Sequence, residues 1–107
     1  MKIPFHIPNI PENFEKIFSE SVQSGWLTTG LQVNKLEEEI AKYLGAEYVI
    51  AVNSCTAALH LALAAKGFGV GQKFIVPTLT FVSTIECGEY LGMEPILIDS
   101  SKDGFLM

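Results

Sequence analysis

The chain has 107 residues, enough for about one small domain, and 49% of them are hydrophobic, which supports a packed core rather than a disordered chain. Its seven basic residues are all lysines; against twelve acidic ones they leave a net charge of −5 with no basic run, which argues against a nucleic-acid partner. No stretch reaches the roughly 18 uninterrupted apolar residues of a membrane span, and prolines punctuate "MKIPFHIPNIPENF" where a signal peptide would carry an apolar helix, so the chain reads as soluble and cytoplasmic.

After the Pro-rich lead, "PENFEKIFSESVQ" sets Phe14, Ile17, Phe18 and Val22 at helical spacing, with Pro11 allowed in the first turn and Glu12 and Glu15 at the positive end of the helix dipole. Beyond "GWLTTG", the segment "LQVNKLEEEIAKYLG" places Val33, Leu36, Ile40, Tyr43 and Leu44 on one stripe and closes on Gly45 as a C-cap. The acidic run Glu37 to Glu39 is expected to be the solvated face of this second amphipathic helix.

From residue 48 the rhythm changes to short β-rich runs alternating with helices: "YVIAV", "TAALHLALAAKG", "KFIVP", "FVSTIECGEYLG" and "EPILID". Strands without polar alternation, separated by helical segments, predict a buried parallel βαβαβ sheet of an α/β fold, three strands joined by two crossovers. The helix after "NSC" is apolar nearly all round, which suits packing between a sheet and another layer, and His60 within it is expected to be a packed or edge histidine. Cys55 and Cys87 lie outside any CxxC pair in apolar settings that suit reduced thiols, and with the scattered His6 and His60 they are too few for a zinc site, so no metal is expected.

In an open parallel sheet ligands bind where strands end and helices begin. The loop after the first predicted strand is "NSCT", and the helix start that follows offers unpaired amides at Cys55, Thr56 and Ala57, with hydroxyls on Ser54 and Thr56. Asn53 or Ser54 can equally be a plain helix cap, and the two roles are compatible because one side chain satisfies only one or two of the orphan donors. Neither GxGxxG nor GxxxxGK[ST] occurs, so a phosphate held here belongs to something smaller than a dinucleotide. Phe81, in the loop after the second predicted strand, is expected to begin a helix just beyond the turn started by Pro77, and its side chain either lies across a planar ring or packs in the core.

Together, "GWLTTG" at 25–30, "VNSCTAALHLAL" at 52–63, "VPTLTFVST" at 76–84 and "YLGMEPILID" at 90–99 resemble the N-terminal part of the DegT/DnrJ/EryC1/StrS family of nucleotide-sugar aminotransferases. The resemblance covers nearly the whole chain and implies the fold type I architecture of pyridoxal-phosphate enzymes, with residues 1–45 as lead and two helices and 46–107 as the first part of the cofactor-binding domain. It implies pyridoxal 5'-phosphate as cofactor, its phosphate held by Ser54, Cys55, Thr56 and Ala57 and its ring covered by Phe81. Thr28 and Thr29 would face substrate, although "TTG" is equally a helix cap; Asp99 is left as structural.

The Schiff-base lysine and the acidic partner of the pyridine nitrogen are expected beyond residue 107: Lys66 and Lys73 sit at the opposite end of the sheet from the phosphate loop, and no other lysine lies in a matching motif. The chain thus resembles the first part of a longer enzyme, and the isolated piece is expected to be inactive and of marginal stability. The family's activity is transfer of an amino group, typically from glutamate, to a keto group on a nucleotide-linked sugar, usually by a homodimer. A sugar dehydratase of the same family, or a noncatalytic remnant that binds a phosphate or a partner, are the alternatives.

Overall fold

The computed structural model describes residues 3–104 and 106. Its elements are α1 (Phe14–Gln23), α2 (Leu31–Leu44), α3 (Cys55–Ala65), β1 (Lys73–Pro77), α4 (Ser83–Glu89) and β2 (Glu94–Ile98). The chain divides into two compact units, Met1–Ala51 and Val52–Met107.

In the first unit α1 begins at Phe14, so Pro11 lies ahead of the helix rather than in its first turn, and its carbonyl accepts from the Phe14 amide at 3.0 Å. Phe14 and Phe18, one turn apart, stack with ring centroids 6.1 Å apart, and Lys16 pairs with Glu20 at 3.9 Å on the exposed side. The link to α2 is fixed locally: the Trp26 indole N–H donates to the Thr29 carbonyl at 2.8 Å. A β-carbon on Gly30 would come within 2.7 Å of Trp26 Cδ1, so the closeness of backbone and indole selects glycine there.

Helix α2 ends as the sequence predicts. Gly45 adopts the left-handed conformation (φ 64°), its amide reaches the Lys42 carbonyl at 3.4 Å, and the Ala46 amide reaches the Ala41 carbonyl at 3.0 Å, the paired bonds of a Schellman motif. The acidic run departs in part from the expected solvated face. Glu38 and Glu39 are exposed, but Glu37 is half-buried and its Oε1 accepts from the Ala51 amide at 2.7 Å.

That bond bears on the largest difference from the sequence reading. Residues 48–52, predicted as the first of three strands, join no ladder among the described residues, and Tyr48 and Ile50 are 79% and 81% exposed. A strand exists only through a neighbour's hydrogen bonds, and here a helix side chain takes the Ala51 amide instead. β-rich composition marks a segment able to pair; it does not supply the partner.

The second unit contains a two-stranded parallel sheet in which Lys73 pairs with Glu94 and Pro77 with Ile98, joined through α4, so among the described residues one βαβ crossover is present where two were predicted. Lys73 Nζ meets Glu94 Oε2 at 2.9 Å where the strands start. Pro77 is tolerated because it closes its strand, and the Thr78 amide donates the next bond, to the Ile98 carbonyl at 2.9 Å.

The core lies between the sheet and α4, where Val76 is only 1% exposed and Cys87, Met93 and Ser83 are buried. Gly88 lets α4 rest on the Phe74 ring: a β-carbon there would fall 2.6 Å from Phe74 Cζ. Helix α3 packs against α4 but buries none of its own residues, so the double-sided packing expected from its composition is absent among the described residues.

Candidate cofactor-binding site

The start of α3 is built by Ser54. Its backbone is extended (φ −159°, ψ 157°), its Oγ accepts from the Ala57 amide at 3.1 Å, and its carbonyl accepts from the Ala58 amide at 3.1 Å. Ser54 is therefore a helix cap, one of the two roles left open by the sequence, and Asn53 supports it by accepting from the Ser54 hydroxyl at 3.4 Å. The cap consumes the Ala57 amide. No partner is found among the described residues for the amides of Cys55 and Thr56, which remain at the positive end of the helix dipole beside the Thr56 hydroxyl. Capping does not preclude anion binding in this geometry, because the serine uses one orphan donor and leaves two.

Connectivity sets where this helix start lies. Residues 66–72 return the chain from the end of α3 to the start of β1, α4 returns it from the end of β1 to the start of β2, and α3 packs along α4. The side-by-side course is marked by His60, midway along α3, whose ring meets that of Tyr90 at the end of α4 edge-on, 5.6 Å between centroids. His60 is thus a packed edge histidine, as its apolar setting suggested. Both helices run back from the edge where the strands end, so the α3 amides and the β1–α4 turn face the same end of the sheet. Beside His60, the Glu86 carboxylate raises the Tyr90 phenol above its ordinary value by repelling the phenolate, with Glu89 adding to the effect.

Phe81 lies in that turn, two residues before α4 rather than in its first turn, and is 75% exposed. The alternative of core packing therefore fails for the described chain: its ring is free to cover a planar ligand. The turn is tied at both ends by hydroxyls, Thr78 Oγ1 donating to Asp99 Oδ1 at 3.1 Å and Thr80 sharing a hydrogen bond with Thr84 at 2.9 Å. The part played by Thr78 is invisible in the sequence until the register Pro77↔Ile98 brings residues 78 and 99 side by side.

Thr28 and Thr29 belong to the first unit. Gly30 occupies the N-cap of α2 with no side-chain cap, so the capping alternative for the two threonine hydroxyls does not hold. Thr28 lines a cleft of about 640 Å³ together with Trp26, Leu27, Leu31 and Gln32, while Thr29 gives its carbonyl to Trp26. Lys66 caps the C-terminus of α3 and Lys73 is paired with Glu94 at the start of the sheet. Cys55 is exposed and Cys87 buried, both as free thiols. No cluster of three or more metal-ligating side chains occurs among the described residues, and no described helix is long and apolar enough to cross a membrane.

Comparison with known proteins places the chain in a family and a fold. The chain is 42% identical over 101 residues to spore coat polysaccharide biosynthesis protein SpsC of Bacillus subtilis (strain 168), covering 94% of this chain and 26% of that protein. It is 35% identical over 104 residues to the UDP-4-amino-4-deoxy-L-arabinose–oxoglutarate aminotransferase of Shewanella sediminis (strain HAW-EB3), covering 97% of this chain and 27% of that enzyme. Among solved structures, a Streptococcus pneumoniae chain, Spr1654, provisionally described as a sugar aminotransferase and solved in its PLP form, superposes with a TM-score of 0.89 at 32% identity over 98% of this chain and 27% of that one. The chain thus spans about a quarter of the length of these relatives and has the α/β architecture of the N-terminal part of their fold. The sequence model of the DegT/DnrJ/EryC1/StrS aminotransferase family matches residues 8–107, and the chain belongs to that family.

Proposed function

We propose that this chain supplies the phosphate- and ring-holding part of a pyridoxal-phosphate-dependent enzyme that moves an amino group from an amino acid, glutamate, to the keto group of a nucleotide-linked sugar. The observation that carries the proposal is the pair of amides at Cys55 and Thr56 with no partner among the described residues, at the start of a helix that lies within the span matched by the family model. Pyridoxal phosphate, when bound, supplies an electron sink for the carbon whose proton is moved. The Cys55 and Thr56 amides and the Thr56 hydroxyl hold the phosphate dianion, with Ser54 shaping the loop and Ala57 close behind it. Phe81 lies over the ring and keeps water from one face. Thr28 and Thr29 contact the substrate side. None of the seven lysines is the covalent anchor.

Transamination is favoured over dehydration by the two aminotransferase relatives, and a role in polysaccharide biosynthesis by the likeness to SpsC. On this reading the enzyme is a cytoplasmic homodimer.

Titration of the full chain with pyridoxal phosphate tests the site. Saturable binding is expected, competed by inorganic phosphate, with slower thiol labelling of the exposed Cys55 as the loop fills. Absence of saturation, or labelling of Cys55 unaffected by the cofactor, refutes the phosphate site. Borohydride reduction followed by mass analysis tests the anchor: stable attachment at one lysine among residues 1–107 would contradict that assignment.

A further inference from the structure

Phe81 has no packing to orient it. It is 75% exposed and its neighbour Leu79 is 65% exposed, so burial does not determine the shape of the turn between β1 and α4. What holds the turn is polar. On the sheet side the ladder runs one bond past the strands, from the Thr78 amide to the Ile98 carbonyl at 2.9 Å, and there the Thr78 hydroxyl donates to Asp99 Oδ1 at 3.1 Å. The same oxygen accepts from the Ser100 amide at 2.8 Å, which fixes the carboxylate's own rotamer. On the helix side Thr80 is tied to Thr84 in the first turn of α4, an element anchored by the contact of Gly88 with Phe74.

We propose that Asp99 is a positioning residue for Phe81: by holding Thr78 it fixes the turn that presents the aromatic face to the cofactor ring. The proposal rests on the reading of Phe81 as the residue that covers the ring. Asp99 touches neither cofactor nor substrate; it acts through Thr78 and the backbone of residues 78–81. Phe81 held in one orientation before binding loses less freedom on stacking, so the cofactor binds more tightly than it would to a loose turn.

The test is a set of substitutions in the full chain, read by pyridoxal phosphate affinity, by the circular dichroism induced in the bound cofactor, and by thermal midpoint. Asp99→Ala and Thr78→Val are each expected to weaken binding about 3–10-fold, the range for one ordinary hydrogen bond at an exposed site, and to lower the induced signal per bound cofactor. Asp99→Asn keeps the accepting oxygen and is expected to restore affinity to within about 2-fold of the unsubstituted chain, a rescue that charge-based stabilisation alone would not give. In a double-mutant cycle the effect of Asp99→Ala should vanish when Phe81 is already alanine. An unchanged affinity in Asp99→Ala, or a loss that adds in full to that of Phe81→Ala, overturns the positioning role while leaving the cofactor site standing. Absence of cofactor binding by the unsubstituted chain overturns the cofactor reading, and the positioning role with it.

Discussion

In residues 1–51, α1 and α2 carry regular apolar stripes yet bury no residue, whereas in residues 52–107 the seven-residue α4 buries Ser83, Cys87 and Gly88 against a sheet of only two strands. The first unit is held mostly by local devices, an indole on a carbonyl three residues on and a glycine C-cap, with one longer-range bond from the Ala51 amide to Glu37. The second is held by layers. Amphipathic periodicity makes a helix; a core needs a second surface to receive it, and the stripes of α1 and α2 show the first condition met without the second.

Two glycines test this contrast most severely. A β-carbon at Gly88 meets the Phe74 ring, which is half-buried between α4 and the sheet, so Gly88→Ala is expected to destabilise the fold by about 1–3 kcal/mol in denaturant unfolding, despite the better helix propensity of alanine. At Gly30 the added atom meets Trp26, which is 65% exposed and can move aside at the loss of its exposed hydrogen bond to the Thr29 carbonyl, and Gly30→Ala is expected to cost about 1 kcal/mol or less. Equal costs would erase the distinction between layered and local support.

The α3 start gives the next largest effect. Ser54→Ala removes the acceptor for the Ala57 amide and should cost about 1 kcal/mol of stability. Ser54→Asp keeps a capping oxygen and should leave the thermal midpoint nearly unchanged, yet its charge beside the Cys55 and Thr56 amides should lower pyridoxal phosphate affinity by about tenfold or more. Loss of stability without loss of affinity in the aspartate variant would reduce this loop to a cap.

The smallest effect concerns Tyr90. Its folded-state pKa is raised by Glu86, so between the unfolded value near 10 and the folded one the native chain holds more proton than the unfolded chain. Stability is therefore full below that window and falls as pH rises through it. Glu86→Gln should move the tyrosinate absorbance transition, taken as the difference from Tyr90→Phe, back toward the ordinary value; an unmoved transition removes Glu86 as the cause.

The start of α3 was legible in advance because it depends on local chemistry. Small hydroxyl residues before an alanine-rich run mark a helix start, and the structure finds Ser54 capping it with two amides to spare. The sequence left Phe81 between ring cover and core, and its exposure sets core packing aside within the described chain, since burial is a property of surroundings. Glu37 looked like its neighbours in an acidic run, and the partner that distinguishes it lies fourteen residues away in sequence.

By itself the sequence determined the order of the helices, the Gly45 stop and the Ser54 start, because spacing, caps and the left-handed turn act within a few residues of chain. Tertiary structure alone decided which β-rich runs became strands. Residues 73–77 found 94–98 in parallel register and residues 48–52 found no ladder among the described residues. That choice also made the Thr78–Asp99 pair, since hydrogen bonds between distant segments exist only once a register has been chosen.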